Sequence, residues 1–167
     1  LYDSSVAGLL ERVTDHLSDP PSYLPRQRIW TLRARYIVLA VGAIERHIAF
    51  GNNDRPGVMT AMAGRIYLNR FGILSGEKII VATNNDSAYE MTVELAGAGA
   101  AVTLLDARSS VPEKFSADLK GRGVELRTGV APLKAQGGHG VRALTLAEAD
   151  GSGWRESGTV NCDLVLV

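Results

Sequence analysis

Two short apolar runs, placed either side of one helical stretch, constrain this chain more than any other feature of it. Lys78-Ile79-Ile80-Val81-Ala82 and Ala101-Val102-Thr103-Leu104-Leu105 are continuous and rich in β-branched side chains, the pattern of strands covered on both faces of a parallel sheet. Parallel neighbours cannot be joined by a tight turn, so they need a crossover. Residues 86–98 supply it, reading as a helix that stops at Gly97 and Gly99. The result is a β-α-β unit of the kind that builds doubly wound sheets. Residues 112–122 add a helix with Val111 and Phe115 on its inner side, and residues 124–127 add a third strand, so the element order is βαβαβ.

The flanks extend this unit in both directions. From Val130 the pattern turns to alternating strands over 141–147 and 155–160, joined by Asp150-Gly151-Ser152-Gly153, a turn of residues that tolerate positive φ. Residues 163–167 then return as a short apolar strand to the parallel sheet. On the amino-terminal side, residues 60–70 read as a helix with Ala63, Ile66, Tyr67 and Phe71 near one face, stopped by Gly72. Residues 51–57 form a polar turn before it. Residues 28–34 alternate as a half-buried strand, and 36–41 form a fully apolar run of the buried parallel kind that ends at Gly42. Residues 18–22 are a proline-bearing loop, and residues 1–17 fit a strand or a helix equally. The fold class is therefore α/β: Rossmann-like, with a parallel sheet, crossover helices and a small antiparallel β-meander.

Charge and composition exclude several functions. With 167 residues, 46% of them hydrophobic, the chain is able to bury a core. Its 18 basic and 18 acidic side chains cancel, so nothing in the composition points to a nucleic-acid-seeking surface. The longest apolar run, 36–44, is about half of the roughly 20 residues that span a bilayer, so no membrane segment is expected. No basic region precedes residues 1–10, so no signal peptide is expected either. Cys162 has no cysteine to pair with, which suits a reducing cytoplasm, and His16, His47 and His139 lack metal-ligand spacing. The chain opens on Leu1-Tyr2-Asp3 and stops inside an apolar strand, so it reads as an internal piece.

Chemistry concentrates in the first β-α turn. Thr83, Asn85 and Ala88 stand in the three slots of the G-x-G-x-x-G/A dinucleotide fingerprint, within the stretch Thr83-Asn84-Asn85-Asp86-Ser87-Ala88. Ala88 is small enough for close packing of helix on strand. Thr83 is a poor tight-turn residue, and Asn85 adds bulk where a pyrophosphate approaches. Asp86 caps the helix well but puts negative charge at the end that attracts phosphate. Against this, Asp106 ends the second strand where an acidic residue binds ribose hydroxyls and selects NAD over NADP, although Arg108 offers a cation two positions on. Two readings stay open: an adenine nucleotide bound at this turn, or a vestigial pocket with Asp106 a solvated strand-end carboxylate. Ala40-Val41-Gly42-Ala43 is a second small-residue turn that allows close approach to a cofactor, and by spacing alone it fits core packing as well. His47, Glu45 and Arg46 read as surface groups, and Trp30 and Trp154 as core or sheet-face residues.

Three blocks in order carry a resemblance: Leu39-Ala40-Val41-Gly42-Ala43-Ile44-Glu45-Arg46, then Asn53-Asp54-Arg55-Pro56-Gly57-Val58-Met59, then Thr83-Asn84-Asn85-Asp86-Ser87-Ala88-Tyr89. On these the chain resembles the alpha subunits of heterotetrameric sarcosine oxidases. Opine oxidases, amino-acid dehydrogenases and hydrogen cyanide synthase share a looser version of the first two blocks. The resemblance implies a flavoprotein with two dinucleotide-binding domains. Residues 1–72 would then be part of an outer FAD/NAD-type domain with a linker helix, Ala40 to Ala43 lying beside its nucleotide, and 73–167 an inserted NAD-type domain. It further implies that the whole complex oxidatively demethylates sarcosine to glycine, reduces oxygen to hydrogen peroxide and passes a one-carbon unit to tetrahydrofolate. NAD would belong to the alpha subunit, and FAD and FMN to the full complex rather than to this piece. The beta, gamma and delta subunits would be partners, and tetrahydrofolate would bind outside these residues. The piece alone is expected to be inactive, with no catalytic residue of its own. A Rossmann-like assembly module without a ligand, and a stand-alone NADH-dependent flavin reductase, are the competing expectations.

Overall fold

A computed structural model describes residues 3–111 and 113–167. Leu1 and Tyr2 of the first segment, and Pro112 ahead of the third helix, lie outside the described residues. The chain forms two compact units, residues 1–43 and 44–167. The expected boundary at 72/73 differs from this division because residues 44–72 take part in the second unit's own sheet and helical layer.

In the first unit the segment left open between strand and helix is a strand, β1 (Val6–Arg12), paired antiparallel with β2 (Gln27–Arg33). Register sets Leu9 opposite Trp30 and Glu11 opposite Arg28, so these four share a face. There the Trp30 indole donates to Glu11 Oε2 at 2.8 Å and Arg28 Nη1 donates to the same oxygen at 3.1 Å. The connecting loop is tied at its base, where the buried Thr14 hydroxyl donates to the Pro25 carbonyl at 3.1 Å and Asp15 accepts from Arg26 and Gln27. β2 is exposed along its length rather than half-buried. The apolar run 36–41 is not a strand: Tyr36, Val38 and Val41 are 89%, 88% and 85% exposed. A buried parallel strand needs a hydrogen-bonded neighbour, and among the described residues the first unit contains only the antiparallel hairpin.

The second unit is built on a five-stranded sheet of β3 (Val58–Met59), β4 (Lys78–Thr83), β5 (Ala101–Asp106), β6 (Glu125–Thr128) and β10 (Leu164–Leu166), ordered β3-β10-β4-β5-β6 and parallel throughout. Counted from β4, the last four strands stand in the order fourth, first, second, third, the arrangement of a doubly wound nucleotide-binding half. Three further strands, β7 (Val130–Gln136), β8 (Ala143–Ala149) and β9 (Trp154–Asn161), form an antiparallel meander between β6 and β10.

Strand alternation sends each sheet residue to one of two cores. Ile79, Val81, Val102, Leu104, Leu164 and Leu166 face the helices, and Ile80, Ala82, Leu105, Val165 and Val167 join the meander's Val130, Ala135, Leu144 and Leu146. The runs carry apolar residues on both faces because both faces are covered. The layers are thus helices, parallel sheet and meander.

The helical layer contains α1 (Ala61–Phe71), α2 (Ser87–Gly97) and α3 (Glu113–Gly121). Thr60 caps α1 by accepting from Ala63 N, and Gly72, at φ 65°, ends it by donating to the Leu68 carbonyl. The inner face of α1 differs from expectation: Ala61 and Gly64 are buried, while Ile66, Tyr67 and Phe71 stay largely exposed. Leu166 explains this, since a Cβ on Gly64 would stand 2.8 Å from its Cδ1, leaving room for small residues only. Arg65 ties α1 to α2 by donating to Glu94, at 2.9 Å from Nε, and Tyr89 stacks on Phe115 at 4.6 Å to tie α2 to α3.

Candidate functional site

Ligands of open α/β sheets bind outside the carboxyl ends of the strands, and here β4 and β5 end side by side. Thr83 is in register with Asp106, and Ala107 N donates to the Thr83 carbonyl at 2.9 Å. The turn residues 83–88 and Asp106 therefore gather at one edge, as the β-α-β reading expects. Ala40, Val41, Gly42 and Ala43 belong to the first unit, where all four are exposed and Gly42 has φ 68° with open space around it.

Asp106 is not a solvated carboxylate. It is fully buried and accepts four kinds of donor: the Tyr89 hydroxyl at 2.6 Å, Arg108 N at 2.9 Å, Arg108 Nε at 3.0 Å and Arg108 Nη2 at 2.7 Å. Burial would push its pKa above the usual carboxylate range, but the bonds from Arg108 and Tyr89 outweigh burial and hold it below that range. Burial, and the bond to Asp106, push the Tyr89 phenol up. The bond to Asp106, then that to Asp86, raises the Arg108 guanidinium further. Arg108 spans the edge, because its Nη1 also donates to Asp86 Oδ1 at 2.8 Å. Asp86 holds the N-cap position of α2 without a side-chain cap bond; the guanidinium draws its carboxylate away from the helix amides.

The turn itself is equally self-contained. The buried Thr83 hydroxyl accepts from Asn85 N at 3.2 Å and donates to the Asn85 carbonyl at 3.0 Å. Asn85 Oδ1 accepts from Ser87 N at 2.9 Å and from the Ser87 hydroxyl at 2.6 Å. Asn84 contributes an exposed amide oxygen that accepts from Asn85 Nδ2 at 3.1 Å. Ala88 is buried within the helix-side core, the close packing its small side chain permits. A cavity of about 400 Å³ opens beside α2 and α3, lined in part by Asp86, Glu90, Asp118, Val93 and Phe115. Its acidic rim does not suit a diphosphate.

The N-D-R-P-G-V-M block has a different role. Arg55 Nη1 donates to the Gly138 carbonyl at 2.9 Å and Val141 N to the Pro56 carbonyl at 2.8 Å, and just ahead of the block Asn52 Nδ2 donates to the Ala135 carbonyl at 3.0 Å. It clasps the meander to the sheet. Sequence reading missed β7, although its partner β8 follows directly, and β3, whose partner β10 lies far along the chain, and it missed the reach of Arg108. The spacing Asp106-x-Arg108 was the available signal. Burial pushes the Cys162 thiol up to about 12, with Asp163 adding to the effect, so it is a packed group rather than a nucleophile. Among the described residues no cluster of three or more His, Cys, Asp or Glu is placed to hold a metal, and no helix is long and apolar enough to cross a membrane.

This three-layer arrangement defines a fold class, the Rossmann-like α/β domain, which solved reductases share. The thioredoxin reductase of T. acidophilum superposes with a TM-score of 0.61 at 12% identity, over 84% of this chain and 46% of that one. A ferredoxin reductase from Rhodopseudomonas palustris superposes with a TM-score of 0.58 at 20% identity, over 83% and 35% of the two chains. No protein-family model matches. Curated relatives narrow the class. The sarcosine oxidase alpha subunit of Corynebacterium sp. strain P-1 is 43% identical over 150 residues, covering 88% of this chain, and that of strain U-96 is 43% identical over 152 residues, covering 89%. The alpha subunit of Rhizobium meliloti strain 1021 is 40% identical over 144 residues, covering 86%. The chain belongs to the sarcosine oxidase alpha subunit family. It spans 14% to 16% of the length of these relatives.

Proposed function

We propose that the chain is the part of a sarcosine oxidase alpha subunit that carries its inserted Rossmann-like domain and serves the complex as a scaffold. The complex would oxidatively demethylate sarcosine to glycine, reduce oxygen to hydrogen peroxide and transfer the one-carbon unit to tetrahydrofolate. The observation that carries this reading is the 43% identity over 150 residues to the alpha subunit from strain P-1. In this reading the beta, gamma and delta subunits are partners and tetrahydrofolate binds beyond these residues. FAD and FMN belong to the assembled complex, so the chain by itself is colourless and inactive. NAD held by the alpha subunit would border Ala40, Val41, Gly42 and Ala43. Their exposure, and the left-handed Gly42 with no atom near its missing Cβ, support close approach of a cofactor there.

The test is to express the whole alpha subunit containing this sequence together with its three partner subunits and to measure peroxide release. Sarcosine-dependent peroxide from the complex, and none from the chain alone, is the expected result. A complex that oxidises an opine or another amino acid but leaves sarcosine untouched would overturn the substrate assignment.

A further inference from the structure

A dinucleotide makes two demands on a β-α-β edge. Its pyrophosphate takes backbone amides at the start of the helix, and its adenosine ribose donates hydroxyls to the carboxylate that ends the second strand. Both sets of groups are present here, and both are already engaged within the chain. Of the turn amides, Asn85 N is taken by the Thr83 hydroxyl and Ser87 N by Asn85 Oδ1. Asp106 receives Arg108 and Tyr89 in place of ribose hydroxyls. Arg108 crosses from Asp106 to Asp86, so one side chain covers the ribose position and reaches the phosphate end.

We propose that this edge is an internally liganded nucleotide turn, in which Thr83, Asn85 and Arg108 stand in for the polar groups of a dinucleotide and close the crevice against one. Asn85 is the phosphate surrogate, its Oδ1 placed as a phosphate oxygen would be on the amide of Ser87. Arg108 is the ribose surrogate. Loss of the glycines is then one half of the device and gain of Arg108 the other. The ligand class excluded is a dinucleotide with a free ribose diol, since the carboxylate beneath Arg108 accepts from a diol and repels a 2′-phosphate. This inference stands on the second unit's geometry alone and does not depend on which amine the assembled enzyme oxidises.

The experiment compares the chain with its Asn85→Gly/Arg108→Ala variant in NADH and NADPH fluorescence titrations, with far-UV circular dichroism and a melting curve for each. The unaltered chain shows no saturable NADH binding up to millimolar concentration. The folded variant binds NADH at least about ten-fold more tightly and prefers it to NADPH. A folded variant that binds no better than the unaltered chain, or that binds NADPH equally well, overturns the proposal. Should the variant not fold, the decisive readout is the unaltered chain's amide resonances at Asn85 and Ser87 during NADH titration. Unmoved resonances support the closed turn, and a saturating shift at either overturns it.

Discussion

Asp106 carries its charge at a position with no solvent exposure, and the cost of that is met by Arg108 and the Tyr89 hydroxyl. Because its folded pKa lies below the unfolded one, its contribution to stability is complete above the unfolded carboxylate range and is lost as pH falls through the folded value. Glu94 behaves alike, held down first by its bond from Arg65. Denaturant melts across the acid range should therefore show stability falling as pH drops. Asp106→Asn should lower stability at neutral pH by about 1–3 kcal/mol, by leaving polar neighbours poorly matched. It should also flatten the acid limb by up to about 1.4 kcal/mol per pH unit, one proton's worth; an unchanged limb would mean that Asp106 is not the buried anion described. At this scale the sequence placed Asp106 at the strand end but did not reveal its burial. A strand-end aspartate looks the same whether solvent or an arginine two residues on completes it.

Gly57 and Gly42 separate two reasons for a glycine at the level of the element. Both have positive φ, at 93° and 68°. A Cβ on Gly57 would stand 2.6 Å from Val141 Cγ1 and 3.1 Å from the Asp163 carbonyl, whereas one on Gly42 meets nothing within 4 Å. Gly57→Ala should thus cost backbone strain plus overpacking, about 2–4 kcal/mol, and Gly42→Ala about 1 kcal/mol of strain or less. Urea denaturation of the whole chain, followed for each variant, should resolve the difference, and equal losses would contradict the clasp between the 53–59 block and the meander. Local pattern was enough to read β4, β5, β6, β8, β9, β10 and all three helices. It was not enough for β3, two residues long and paired only with a strand more than a hundred positions away, nor for the inner face of α1. That face is chosen by Leu166 from the far end of the chain, which no window on residues 60–71 contains.

The molecule as a whole has unequal halves. The second unit encloses two hydrophobic cores, one on each face of its sheet. The first presents a two-stranded hairpin with Leu10, Ile29 and Tyr23 exposed, followed by an irregular apolar stretch over 34–43. An isolated hairpin is marginal in water, and backbone without ladder bonds is the first to be cut. Limited proteolysis should cleave within 34–50 while 51–167 survives as one resistant fragment. Early cutting inside β4 or β5 would reverse that assignment. The apolar run 36–41 shows why composition misled here: it carries a buried strand's residues, but burial is a property of partners, and the hairpin offers none.

The most direct test of the closed sheet edge is a crystal structure of the chain grown with saturating NADH. Arg108 should bridge Asp106 and Asp86, with no dinucleotide density beside residues 83–88. Arg108 swung outward, with ribose hydroxyls on Asp106 and phosphate on the amides of Asn85 and Ser87, would contradict it.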